Sequence, residues 1–248
     1  MENRTDKNSY TIIFAIVMVT VVAALLAFLA SSLKGDISKN KRLEKQQNIL
    51  YALGINENDE SSVAFIPTSE VEQAFDKYIT KQIVIQGDKV TEDDQAYLID
   101  LKKEAALAKD ASYERRLPLF IGEVEGKTYY IVPMRGKGLW DAIWGYMAID
   151  ENLVVKGVFF DHKGETPGLG ANINQRFFMD DFEGEEIAAN GQIKGITIKK
   201  GNADPKNERK NDFAVDAIAG ATITGDGVTA MIKKDLKLYQ GYFNSLKK

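Results

Sequence analysis

From Asn8 to Leu33 the chain carries no charged residue, and Tyr10 to Leu29 presents apolar side chains on every face. A helix needs about 20 such residues to cross the hydrocarbon core of a bilayer. A cleaved signal peptide has a shorter apolar region, about 7–15 residues, ending at a small-residue cleavage site. The sequence therefore predicts a short tail over 1–9, a retained transmembrane helix over 10–33, and one substantial globular domain or two small ones sharing a core behind it. Lys34, Lys39, Lys41, Arg42 and Lys45 follow the span, and only Arg4 and Lys7 precede it. By the positive-inside rule alone these charges put the large domain in the cytoplasm.

Composition excludes several chemistries. A net charge of −4 argues against a nucleic-acid surface, whose affinity comes from clustered Lys and Arg. There is no cysteine, so there is neither a disulfide framework nor a thiolate-ligated metal or iron–sulfur cluster. The one histidine, His162, rules out multi-histidine zinc sites and any Ser-His mechanism that does not use it. It reads as a surface turn residue. No metal ligands and no catalytic side chains are expected.

Behind the span, Lys39 to Leu53 reads as a helix with Leu43, Ile49, Leu50 and Leu53 on one face. Pro67-Thr68-Ser69-Glu70 opens a second, with Val71, Phe75 and Ile79 at helical spacing. Thr91 to Arg116 is charged, without a long apolar face, and suits a solvated helix or loop. The stretch 34–118 is thus expected to be a membrane-proximal helical region. From Leu119 the period changes to two: Leu119 to Val124 and Thr128 to Val132 flank the turn Glu125-Gly126-Lys127 and form a hairpin. Ala142 to Ile149 and Leu153 to Asp161 are two further strands. After Thr222, Val228, Met231, Ile232, Leu236, Tyr239 and Tyr242 recur at helical spacing. The expected class is α+β: a single N-terminal transmembrane helix, then a globular domain with an antiparallel sheet and packed helices, its main body at 119–248.

Three runs could carry chemistry. Asp216-Ala217-Ile218-Ala219-Gly220-Ala221-Thr222-Ile223-Thr224 lies immediately before the last helix. Small side chains there let a ligand approach the backbone, and the free amides and dipole of a helix start favour an anion such as phosphate. The same run also reads as a flexible turn capped by Thr224 or Asp226. His162-Lys163-Gly164-Glu165-Thr166-Pro167-Gly168-Leu169-Gly170 follows a strand, and Pro167-Gly168 suits a type II turn. It is either a turn without function or a loop whose amides and Thr166 hydroxyl meet a planar heterocycle, with Leu169 on its face. In Gly136-Lys137-Gly138-Leu139-Trp140, the last two residues either cover a ring or belong to the core. Asp180-Asp181 and Glu185-Glu186 read as solvated.

At these three runs the sequence resembles the FMN-binding domain family of the C subunit of the bacterial Na⁺-translocating NADH:quinone reductase, related to the G subunit of Rnf-type complexes. The family's attachment pattern runs from an Asp through small residues to (Ser/Thr)-Gly-Ala-Thr; here it is Asp216 to Thr222, with Ala219 where Ser or Thr is usual. The resemblance implies FMN bound covalently to Thr222 by a phosphodiester that a separate flavin transferase installs, with Gly220, Ala221, Thr224 and Asp216 around it. The Glu165-Thr166-Pro167-Gly168-Leu169-Gly170 run is similar to the family's flavin-proximal loop. Gly138-Leu139-Trp140 is typical of the quinone reductase and unlike its Rnf relative. The implied role is electron relay within a multi-subunit complex of the cytoplasmic (inner) membrane that oxidises NADH, reduces ubiquinone and exports Na⁺. The NADH site would lie on another subunit, since no Gly-x-Gly-x-x-Gly element lies between a strand and a helix here. The family also implies a flavin domain on the periplasmic side, opposite to the charge count, and the family expectation is preferred because long domains translocate despite flanking charge. An Rnf-type subunit and a cofactor-free membrane-tethered binding domain are the alternatives.

Overall fold

A computed structural model describes residues 8–59, 62–201, 204 and 206–246. The first seven residues of the expected tail lie outside that range. Asn8–Ser32 forms helix α1, long and apolar enough to cross a membrane, with none of its residues buried. That exposure separates it from a core helix, which would bury at least one face. Its unit ends at Leu43, within helix α2 (Lys34–Ala52), and Glu44 to Lys248 forms a second compact unit.

In the second unit the end of α2 supplies Ile49, Leu50 and Leu53, all fully buried. Helix α3 (Val71–Tyr78) buries Val71 and Phe75 and runs into strand β1 (Ile79–Gln86), which turns into β2 (Lys89–Glu92). These two strands fall within 34–118, the stretch expected to be a membrane-proximal helical region, and correct that expectation there. Ile79 continues the spacing of Val71 and Phe75, yet the helix stops at Tyr78 and Ile79 starts the strand. Ile83, Val84 and Ile85 are buried consecutively, which blurs the alternation a half-exposed strand would show. Helix α4 (Leu101–Leu107) follows, N-capped by the Asp100 carboxylate on the Lys102 and Lys103 amides.

Strands β3 (Leu117–Val124) and β4 (Lys127–Lys137) form the expected hairpin. Glu125 and Gly126 between them have φ of 53° and 74°, as a two-residue type I′ turn requires. With β5 (Ala142–Asp150) and β6 (Val155–His162) they complete a six-stranded antiparallel sheet of order β2-β1-β3-β4-β5-β6. Beyond it lie the short helix α5 (Arg176–Met179), the two-residue strands β7 (Ala188–Ala189) and β8 (Gln192–Ile193), and a parallel pair, β9 (Thr197–Lys199) with β10 (Ala214–Asp216). Helices α6 (Thr222–Lys237) and α7 (Gln240–Leu246) end the chain.

Helix α6 packs on β4 through Val228, Met231, Ile232 and Leu236, each at most 1% exposed. Burying such a side chain contributes about 1.5–3 kcal/mol. The helix comes close because β4 has Gly136 at the crossing, where a Cβ would lie 2.8 Å from Cβ of Met231. The N-terminus of α6 is thereby held beside the β4–β5 connection. Ile143 pairs with His162, so the chain leaving β6 emerges at the same end of the sheet.

Candidate functional site

Three connections meet there: the turn at 138–141, the loop at 163–170, and the approach to α6 at 217–221. Leu139, Glu165, Thr166, Leu169, Gly170, Gly220, Ala221, Thr222, Ile223 and Thr224 line a cavity of about 210 Å³. The sequence singled out nine of these ten; Ile223 is the one it did not. Of the remaining expected site residues, Trp140 is bonded to the lining through Thr166. Gly168 shapes the loop without lining the cavity, and Asp216, the last residue of β10, is not among the lining residues.

Glu165 is the centre of the arrangement. Its side chain is 5% exposed. Oε1 accepts from the Trp140 amide at 2.9 Å and the Asp141 amide at 3.5 Å, while Oε2 accepts from the Thr224 hydroxyl at 2.6 Å and the Leu139 amide at 3.3 Å. One carboxylate thus ties all three connections together. Burial pushes its pKa up, but the donors from Thr224, Trp140, Asp141 and Leu139 outweigh burial and hold it below the ordinary carboxylate value. The Glu165 amide donates to Nδ1 of His162 at 3.1 Å. His162 therefore braces the loop from the last position of β6 and is not a free turn residue.

Glycines leave room for the carboxylate and its partners. A Cβ on Gly170 would lie 2.5 Å from Oγ1 of Thr224 and 2.7 Å from Oε2 of Glu165, and one on Gly138 would lie 2.6 Å from Oε1. Pro167 and Gly168 form the expected type II turn: the Leu169 amide donates to the Thr166 carbonyl at 3.1 Å, and Gly168 has φ of 77°. Gly220, with φ of 75°, makes the corresponding reversal into α6.

The two threonines of the α6 start differ completely. Thr224 is 1% exposed and its hydroxyl is committed to Glu165. Thr222 is exposed, at the first position of α6, and its hydroxyl has no partner among the described residues. No side chain caps this helix, so neither Thr224 nor Asp226 plays the capping role open to them from sequence. The amides of the first turn are left free to meet an anion, which the helix dipole also favours. Around the mouth Leu139, Trp140, Leu169 and Ile223 are 44%, 66%, 41% and 58% exposed, an apolar rim. Trp140 is not a core residue; its indole N–H donates to Thr166 Oγ1 at 3.1 Å and holds the ring at the surface. The acidic pair Glu185-Glu186, by contrast, is not uniformly solvated: Glu185 is fully buried, 3.9 Å from the Lys210 ammonium.

The residues present fit a flavin mononucleotide. A phosphate matches the free amides beside Thr222, and an isoalloxazine ring matches the apolar rim. The cavity is smaller than the roughly 300–1,000 Å³ of pockets that enclose a drug-sized ligand, so such a group would remain partly open to a partner.

The FMN-binding domain family matches this chain over residues 138–237. The Pseudomonas aeruginosa protein named as the C subunit of the Na(+)-translocating NADH-quinone reductase is 32% identical over 244 residues, covering 92% of this chain and 90% of its own. The Yersinia pestis protein of the same name is 30% identical and covers 90% and 86%. The crystal structure of the same protein from Parabacteroides distasonis superposes with a TM-score of 0.71 at 30% identity, covering 85% of this chain and 96% of the other. Shewanella oneidensis NqrC superposes at 0.66 and 27% identity, covering 84% and 98%.

Proposed function

The chain belongs to the family of the C subunit of the Na⁺-translocating NADH-quinone reductase, and from that premise we propose that it is the covalent-flavin electron carrier of such a complex. In this reading FMN is joined through a phosphodiester to Oγ1 of Thr222 by a separate flavin transferase. The observation that carries it is the convergence of three distant runs on one cavity with the unpartnered Thr222 hydroxyl at its mouth.

When bound, FMN supplies reversible electron transfer, and the protein supplies position and field. Thr222 is the tether and takes no part in electron transfer. The first amides of α6 hold the phosphate, and Gly220, Ala221 and Gly170 leave room for it and the chain that follows. Leu139, Trp140, Leu169 and Ile223 give the ring an apolar bed while leaving an edge accessible to neighbouring redox centres. Thr166 orients Trp140, and Gly168 sets the turn that presents Leu169. Glu165 and Thr224 hold the three connections together. Asp216, outside the cavity, suits recognition by the transferase better than contact with FMN.

Helix α1 anchors this carrier in the cytoplasmic membrane, with the flavin domain on the outer side where the other subunits and the transferase meet it. Electrons pass through it between other centres as the complex oxidises NADH, reduces ubiquinone and exports Na⁺. Affinity purification of the full chain from membranes of cells that express the whole complex tests this. Co-purification of the other subunits with flavin fluorescence on this chain is expected; a flavin-free chain recovered alone contradicts it.

A further inference from the structure

Among the ten residues lining the cavity, Glu165 is the only one with an ionisable side chain. A cation beside a flavin favours its electron-rich form; this cavity offers an anion instead. Lys163, on the loop that carries Glu165, pairs its Nζ with Asp141 Oδ2 at 2.8 Å, and this exposed pair largely cancels itself. The His162 ring accepts the Glu165 amide through Nδ1 and does not line the cavity. The donors on Glu165 are two-ended dipoles, and they fix its charge in place without removing it.

We propose, resting on the reading of this cavity as the FMN site, that Glu165 is a potential-setting residue: its buried carboxylate is a fixed negative charge that disfavours electron uptake by the tethered group. Uptake transfers electrons from a reduced donor, which is oxidised, to the cavity side, where negative charge accumulates next to a carboxylate already held by four donors. Water screens it poorly, because the side chain is 5% exposed. Its hold on Thr224 and on the 139–141 backbone keeps the charge at one place, so the effect is constant from molecule to molecule.

The test uses the full chain produced with its flavin transferase, titrated spectroelectrochemically in detergent, alongside the Glu165→Gln, Glu165→Asp and Thr224→Val variants. Glu165→Gln removes the charge and is expected to raise the midpoint potential by the equivalent of roughly tenfold in the reduction equilibrium, about 30 mV for a two-electron couple. Glu165→Asp keeps the charge and stays near the wild-type value. Thr224→Val loses a hydrogen bond and no charge, and shifts the midpoint by less than Glu165→Gln does. Flavin-loaded Glu165→Gln with an unchanged midpoint overturns the assignment. So does a Thr224→Val shift as large as that of Glu165→Gln, because geometry and not charge would then be responsible. A Glu165→Gln chain that no longer takes flavin overturns it too, since Glu165 would then only build the site. A wild-type chain without covalent flavin is a different result, and refutes the reading of the cavity itself.

Discussion

The hydroxyl of Thr224 donates to Oε2 of Glu165 at 2.6 Å, joining the start of α6 to a loop 59 residues earlier in the chain. Both groups are buried, so neither can exchange the other for water.

Thr224→Val should therefore lower unfolding stability by about 1–3 kcal/mol, the cost of leaving a buried acceptor short of a donor. Urea denaturation followed by far-UV circular dichroism measures it. Covalent flavin should decrease without disappearing, because the proposed tether is Thr222; a stability equal to wild type shows that the bond contributes nothing net.

Gly170→Ala puts a methyl group 2.5 Å from Oγ1 of Thr224 and 2.7 Å from Oε2 of Glu165. One of them must move, and the knot opens. The expected outcome is loss of most flavin attachment in a chain that still folds, seen as normal circular dichroism with a faint fluorescent band. Gly164→Ala, with open space around its Cβ, is the matched control and should be silent.

Glu165 and Glu185 give opposite pH signatures. Glu165 is held below its ordinary pKa, so its contribution is present above the unfolded value and is lost as pH falls through the folded one. Burial first, with Asp212 and Asp204 adding to it and Asn207 and Lys210 opposing, pushes Glu185 up to about 7. Its contribution is present below the unfolded value of 4.5 and is lost as pH rises through about 7. Glu185→Gln should therefore be more stable than wild type at pH 8 and lose that advantage at pH 5, as urea midpoints at the two values will show. An advantage that is the same at both places Glu185 outside this linkage.

Much of this was legible from the chain. Glu125-Gly126 announced the β3–β4 hairpin, and the apolar spacing from Val228 to Leu236 announced α6, because each signal is local. β1 was hidden because Ile79 fits both the period of the helix it follows and the strand it opens. The three runs of the site could be named but not joined: their meeting depends on the β5–β6 register and on Gly136 admitting α6. Whether Trp140 faced the core or the solvent was likewise undecidable, since the Thr166 hydroxyl that fixes it lies 26 residues away. Glu185 looked solvated because burial of a charged side chain leaves no mark on local composition.

Trp140→Ala and Leu169→Ala change side chains that are 66% and 41% exposed. Their effect on fold stability should stay within about 0.5 kcal/mol. The visible spectrum and midpoint potential of the flavin should change if they form its bed, and unchanged values return both residues to the ordinary surface.

The orientation of the flavin domain can be read by labelling, since the chain has no cysteine of its own. Ala111→Cys, at an exposed position, should react with a membrane-impermeant maleimide on intact cells. Labelling only after lysis puts the domain in the cytoplasm, where the basic residues after α1 would place it.

Thr222, and not its buried neighbour Thr224, is the residue that should carry the cofactor. The most direct test is in-gel flavin fluorescence of denatured wild-type, Thr222→Ala and Thr224→Ala chains, each made with the transferase. A band in wild type, a weaker one in Thr224→Ala and none in Thr222→Ala is the predicted result. A band that survives in Thr222→Ala, or is absent from wild type, contradicts the assignment.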